Sequence, residues 1–143
     1  MQKRKQGFTL IELMIVVSII AIIAAIAIPS LLAARISGNE ASAVSSLRTL
    51  TTVQEQYRTR FGAYSATLTD LGTAGYIDNV LAAGQKSGYN FENSAAVLNT
   101  NWSIEANPVT PGTTGERYFF VNETGVIRFS TTGNAGAGDT PID

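Results

Sequence analysis

Between Phe8 and Ile28 the chain runs for 21 residues with a single charged side chain, Glu12. At about 1.5 Å per residue, a helix of that length crosses the roughly 30 Å hydrocarbon core of a bilayer. No other feature constrains folding as much. Such a helix is apolar on every side, so lipid or other apolar helices must cover it. Lys3, Arg4 and Lys5 stand immediately before it, with no acid among them. That bias predicts an N-terminus on the cytoplasmic side of a membrane and a C-terminal part on the far side.

Two ordinary explanations fit poorly. A secretory signal peptide has an apolar region of roughly 7 to 15 residues followed by a small-residue cleavage site. This stretch is longer, and it passes Pro29 directly into a second helical pattern. A plain single-pass anchor fits the length but gives no reason for Glu12. A carboxylate costs about 2.5–3.5 kcal/mol near the centre of a span and less toward its edge. A partner for that charge is therefore expected outside the anchor. The α-amine created by a cut after Gly7, carried by a neighbouring copy, would neutralise Glu12 in a water-poor assembly.

The run Gly7-Phe8-Thr9-Leu10-Ile11-Glu12-Leu13 resembles the class III signal motif of type IV pilins and of the related type II secretion pseudopilins. The resemblance implies cleavage after Gly7 by a dedicated inner-membrane peptidase and N-methylation of the new terminal Phe8. It implies that Glu12, with Phe8, serves docking between subunits during filament assembly. Pro29 stands where the family has a helix-bending proline. These motifs cover about the first fifth of the chain.

Past Pro29, Leu31, Leu32, Ile36, Val44, Leu47, Leu50, Val53, Tyr57 and Phe61 recur at spacings near three and four. Charged residues largely take the other faces, so an amphipathic helix is expected to about Arg60. Pro29 and Gly38 are its weak points: a kink there, or melting on assembly, are both open readings. Gly62 suits a left-handed cap. Tyr57, Phe61, Tyr64 and Tyr76 are expected as core aromatics between helix and sheet.

From about Gly88 the period changes to two. Tyr89–Phe91, Ala96–Leu98, Trp102–Ala106, Arg117–Val121 and Val126–Ser130 read as apolar alternations, the last two joined by the hairpin turn Asn122-Glu-Thr-Gly125. The expected fold is α+β, a long N-terminal helix packed on a small antiparallel sheet of three or four strands. Its segments are a cleaved leader 1–7, an apolar half-helix 8–28, an amphipathic half-helix 29–60, a connecting loop 61–87 with one short helical turn near Leu68–Leu71, and a sheet region 88–143 with an exposed tail from Thr131.

Composition narrows the function. His and Cys are absent from the sequence. The commonest general base and metal ligand are therefore missing, and so are thiolate chemistry and disulfide staples. The acids of the second half show no two-carboxylate or calcium-loop spacing. No cofactor or metal site and no enzymatic activity are expected. Without Lys3, Arg4 and Lys5 the chain keeps 7 of its 10 basic side chains against 11 acids. That leaves a charge of −4, which lacks the basic footprint of a nucleic-acid binder.

The expected role is mechanical. The resemblance implies a structural pilus subunit that sits in the inner membrane as a precursor and meets the prepilin peptidase and the inner-membrane pilus assembly machinery. It would then polymerise with itself into a helical surface filament. A type II secretion pseudopilin is the nearest competitor. Against it, Trp102 lacks the flanking Pro and Gly of the major pseudopilin, and the glycine-rich tail holds only Asp139 before its end. A membrane-anchored binding module is the alternative from another class.

Overall fold

The structure is a computed structural model that describes residues 7–93 and 100–142. The expected strand Ala96–Leu98 lies outside the described residues. The chain divides into two compact units, one up to Ala34 and one from Arg35 onward. Helix α1, Leu10–Phe61, is continuous in secondary structure and contains Pro29. Within the first unit its apolar side chains have no cover. The apolar window of α1 that is long enough to span a membrane is 0% buried.

The second unit has its own core. It holds the C-terminal part of α1, the short helices α2 (Leu68–Thr73) and α3 (Asn79–Ala82), and strands β1 (Gln85–Lys86), β2 (Tyr89–Asn93), β3 (Ser103–Pro108), β4 (Tyr118–Asn122), β5 (Arg128–Ser130) and β6 (Thr140–Pro141). The strands form one sheet in sequence order, every neighbouring pair antiparallel. Register explains the burial. Phe91, Ala106, Phe119 and Phe129 stand opposite one another across β2 to β5, and the two-residue period puts them on one face. That face joins Ala43, Leu47, Leu50 and Val53 of α1 in a single core with Tyr64, Leu68, Leu71, Leu81 and Trp102.

Expectation and structure differ in four places. The spacing of Leu31, Leu32 and Phe61 predicts them on the buried stripe, yet they are 71%, 39% and 52% exposed. The buried face of α1 instead includes three polar residues, Glu40, Ser46 and Gln54. Gln54 is completely buried: its Oε1 accepts from the Ser65 N–H at 2.9 Å and its Nε2 donates to Ser65 O at 3.4 Å. Those bonds hold the chain after the Gly62 cap, where φ is +79°, against the helix it has just left.

The helical turn expected near Leu68–Leu71 is present as α2, and the segment 61–87 also holds α3 and β1, which the sequence does not suggest. Thr67 and Asp70 form a capping box at the start of α2, Asp78 caps α3, and β1 follows. The tail is not simply exposed either. Ala135 is buried, β6 pairs with β5, and Ile142 N donates to Ile127 O at 2.8 Å. Pairing covers the otherwise open edge of the short strand β5. Six strands therefore form where alternation predicts three or four, because β1 and β6 are two-residue pieces too short to show a period.

Glu40 ties the helix to the loop that leads into β4. It is 6% exposed. Its Oε1 accepts from the Glu116 and Arg117 N–H groups at 3.0 and 3.1 Å, and its Oε2 meets Arg117 Nε at 2.8 Å. Next to it, Tyr89 donates its hydroxyl proton to Arg117 O at 2.8 Å. Gly115 is required there, since a Cβ would fall 2.0 Å from the Tyr89 hydroxyl oxygen.

Burial alone would raise the Glu40 carboxyl. The N–H donors and the Arg117 guanidinium outweigh it and hold the carboxyl below its ordinary value of 4.5. A folded value below the unfolded one stabilises the fold fully above the unfolded value, and that contribution is lost as pH falls through the folded value. Glu40→Gln is therefore expected to cost about 1–3 kcal/mol at neutral pH. The difference from the native chain should shrink as pH is lowered below 4.5. Denaturant unfolding at neutral pH and at successively lower pH below 4.5 checks both; a difference that does not shrink as pH falls would contradict the assignment.

Candidate functional site

The start of α1 carries the residues singled out by sequence. Gly7 and Phe8 precede the helix, Phe8 is 86% exposed, and a side chain at Gly7 would meet nothing within 4 Å. The bond between them is thus sterically open. Thr9 stands at the N-cap position and Glu12 three residues on. Thr9 Oγ1 accepts from the Glu12 N–H at 3.3 Å, and Glu12 Oε2 accepts from the Thr9 N–H at 2.8 Å. The Thr9 hydroxyl also donates to Glu12 Oε2 at 2.6 Å. This is a capping box: two backbone donors left over by the helix start are satisfied reciprocally, and the carboxylate sits at the positive end of the helix dipole.

Glu12 thus has a partner within its own chain, whereas the sequence analysis assigns it one only in a neighbouring copy. The signal is present as the pattern Thr9-x-x-Glu12 ahead of an apolar run. Weighing the carboxylate only as a charge in lipid misses it. The capping bonds use Oε2 alone. Glu12 Oε1 has no hydrogen bond among the described residues, so the carboxylate can accept a further donor without releasing the helix start.

Below the cap there is no polar relief. Ile11, Leu13, Met14, Ile15, Ile19 and Ile22 are between 52% and 64% exposed, and Ser18 returns its hydroxyl proton to Met14 O at 2.8 Å. That internal bond removes the one other polar side chain of Leu13–Ile28 from the surface inventory. What remains is an all-round apolar cylinder with one half-used carboxylate at its beginning.

Pro29 and Gly38 are both helical. Pro29 has no N–H to give the Ala25 carbonyl, so one rung of the helix ladder is missing there. A Cβ at Gly38 would meet nothing within 4 Å. Packing within the chain therefore does not demand glycine, and its effect is a weaker helix at that point.

Similar proteins agree with this placement. The family model described as the prokaryotic N-terminal methylation motif matches residues 2–28. Over 71 residues the chain is 42% identical to the type IV major pilin protein PilA of Myxococcus xanthus, covering 50% of this chain and 32% of that protein. Over 64 residues it is 44% identical to the type IV wide pilus major component PilA4 of Thermus thermophilus, covering 45% and 49%. Over 72 residues it is 31% identical to the type II secretion system core protein G of Dickeya chrysanthemi, covering 50% and 47%. The alignments thus span about a third to a half of the length of these relatives.

Removing the cap has a local consequence. Thr9→Val is expected to cost the helix start about 1 kcal/mol. Amide exchange at Ile11, Glu12 and Leu13 in micelles should speed up several-fold, with exchange in the core of the second unit unchanged. Equal exchange in both proteins would mean that the cap contributes nothing. The exposed Gly7-Phe8 bond, the capped Glu12 and the apolar helix behind them lie in the segment matched by the prokaryotic N-terminal methylation motif, and over about half its length the chain is similar to type IV pilins.

Proposed function

We propose that this chain is the precursor of a structural subunit of a type IV pilus. It is held in the inner membrane by Phe8–Ile28, cut after Gly7 by a prepilin peptidase, N-methylated on Phe8, and polymerised with copies of itself into a surface filament. It is a substrate of that peptidase and has no catalytic role of its own. The inner-membrane pilus assembly machinery would extract and stack it, and nucleic acid is not among its partners.

One observation carries the proposal: an apolar helix with no cover inside its own chain, opened by a carboxylate that keeps one oxygen unpaired. In the membrane, lipid covers that helix. In a filament, the same faces of other copies cover it, with van der Waals packing in place of lipid contact. The second Glu12 oxygen then meets the Phe8 amine of a neighbour, and their attraction in a water-poor core fixes register. Pro29 and Gly38 supply the places where a helix already short of one hydrogen bond can bend or unwind as neighbours press together.

A pseudopilin of type II secretion is the second reading, favoured by the 31% identity to core protein G. It uses the same N-terminal chemistry in a different assembly. The higher identities to the two pilus components favour the pilus.

The intact mass of protein recovered from sheared surface filaments tests processing and assembly together. The expected mass lacks residues 1–7 and carries one additional methyl group. Full-length, unmethylated protein confined to membranes would overturn the proposal in favour of an anchored binding module. Glu12→Ala is expected to leave insertion intact and to abolish filaments. Normal filaments from that variant would remove the docking role from the carboxylate.

A further inference from the structure

The second unit contains a groove lined by residues to which no role has yet been given. Its volume is about 380 Å³, within the size range of small-molecule sites. One wall is the α1 face carrying Ser45, Ser46 and Thr49; Tyr76, Asp78 and Lys86 line the other side.

Three features of this lining point to one ligand chemistry. First, Ser46 is only 6% exposed, lines the groove, and its hydroxyl has no hydrogen-bond partner among the described residues. The Ser46 hydroxyl is not among the fully buried unpaired polar atoms of the described residues; it opens on the groove, where a ligand can replace solvent as its partner.

Second, the charges cancel. Asp78 and Lys86 form an ion pair at 2.7 Å. Asp78 Oδ1 is engaged by the Leu81 N–H at 2.7 Å, and one Lys86 N–H is engaged by Asp78 Oδ2. A carboxylate has about four acceptor sites and an ammonium three donors, so both keep capacity. An anion would meet the Asp78 carboxylate and a cation the Lys86 ammonium. A neutral molecule meets neither penalty.

Third, donors and acceptors alternate within a small space. Thr49 has already given its proton to Ser45 O at 3.1 Å and is left as an acceptor. The Ser45 and Ser46 hydroxyls can both donate and accept. A ligand bearing several hydroxyls, each of them donor and acceptor at once, matches that mixture. Tyr76, Ile77 and Leu81 offer apolar surface to a C–H face.

We propose that this groove binds a neutral pyranose sugar ring. Every residue in the site belongs to the unit from Arg35 onward, and none of them is a residue on which the filament reading rests.

The test uses the full chain, ¹⁵N-labelled, in phosphocholine micelles that contain no sugar headgroup. It is titrated with D-glucose, D-galactose and methyl α-D-glucopyranoside, with glycerol as the control polyol. Saturable amide shifts confined to residues 45–49 and 76–86 are expected for at least one sugar, half-complete at about 1–10 mM, as weak single-ring binding implies. Glycerol should give no saturable shift. Ser46→Ala should weaken binding about 5-fold through one lost hydrogen bond. Thr49→Val should act likewise, and it replaces the first variant if that chain loses its dispersed spectrum.

Binding of the methyl glycoside as well as glucose assigns the groove to the terminal residue of a glycan. Binding of the reducing sugars alone assigns it to free monosaccharide. No saturable shift with any sugar up to about 100 mM, a concentration that detects even very weak binding, would overturn the proposal. So would shifts centred elsewhere, or unchanged affinity in both variants.

Discussion

The apolar helix that begins at Leu10 cannot be satisfied by the chain that contains it. Burying one large aliphatic side chain is worth about 1.5–3 kcal/mol, and from Leu10 to Ile28 the large aliphatics are left with about half or more of their surface uncovered. In the proposed function, that deficit is the reason for a membrane before assembly and for other copies after it. It also explains why the rest of the molecule is built as a separate unit with its own core. A segment that must change its surroundings cannot also hold the fold together.

Glu12 shows how a charge is kept in such a segment at low cost. It sits at the third helical position, where the capping box and the helix dipole both favour a carboxylate. Being at the edge of the span, it also avoids most of the penalty of the bilayer centre. The same placement leaves Oε1 without a hydrogen bond among the described residues. One residue therefore serves the monomer through one oxygen and is free to serve an assembly through the other.

The second unit solves a different problem. It has no disulfide, and three of the residues that the core side of α1 turns inward, Glu40, Ser46 and Gln54, are polar. Glu40 and Gln54 each take backbone groups of a loop outside the helix as partners. Buried polar residues of this kind are less stabilising than leucine but more selective, because only one arrangement of the loop satisfies them. Glu40 orders the entry to β4 and Gln54 orders the exit from α1. Between them they align the helix with a sheet whose strands are two to six residues long.

How much of this was legible follows from the range of each interaction. The uncovered helix, its charge asymmetry and its terminal motif are local and linear: length, hydropathy and a seven-residue pattern carry them. The strands β2 to β5 were legible as alternation, and Gly62 as a cap, because each depends on neighbours in sequence. Leu31, Leu32 and Phe61 carry the same periodicity as Leu47 and Leu50, but periodicity shows only which residues share a face and cannot say where along the helix the sheet stops. Glu40 looks like a solvated charge because its partners, Glu116 and Arg117, lie 76 and 77 residues away. The strands β1 and β6 are too short for any pattern and exist only because a neighbouring edge offers them hydrogen bonds. By itself, then, the sequence determined that the chain has an N-terminal helix needing outside cover, a start carrying a processing motif and an α+β remainder, since these rest on adjacent residues and elementary transfer energetics. The tertiary structure alone decided which polar groups are buried, where the tail binds and that a neutral hydroxyl-lined groove exists. Those depend on residues far apart in the chain meeting within hydrogen-bond distance.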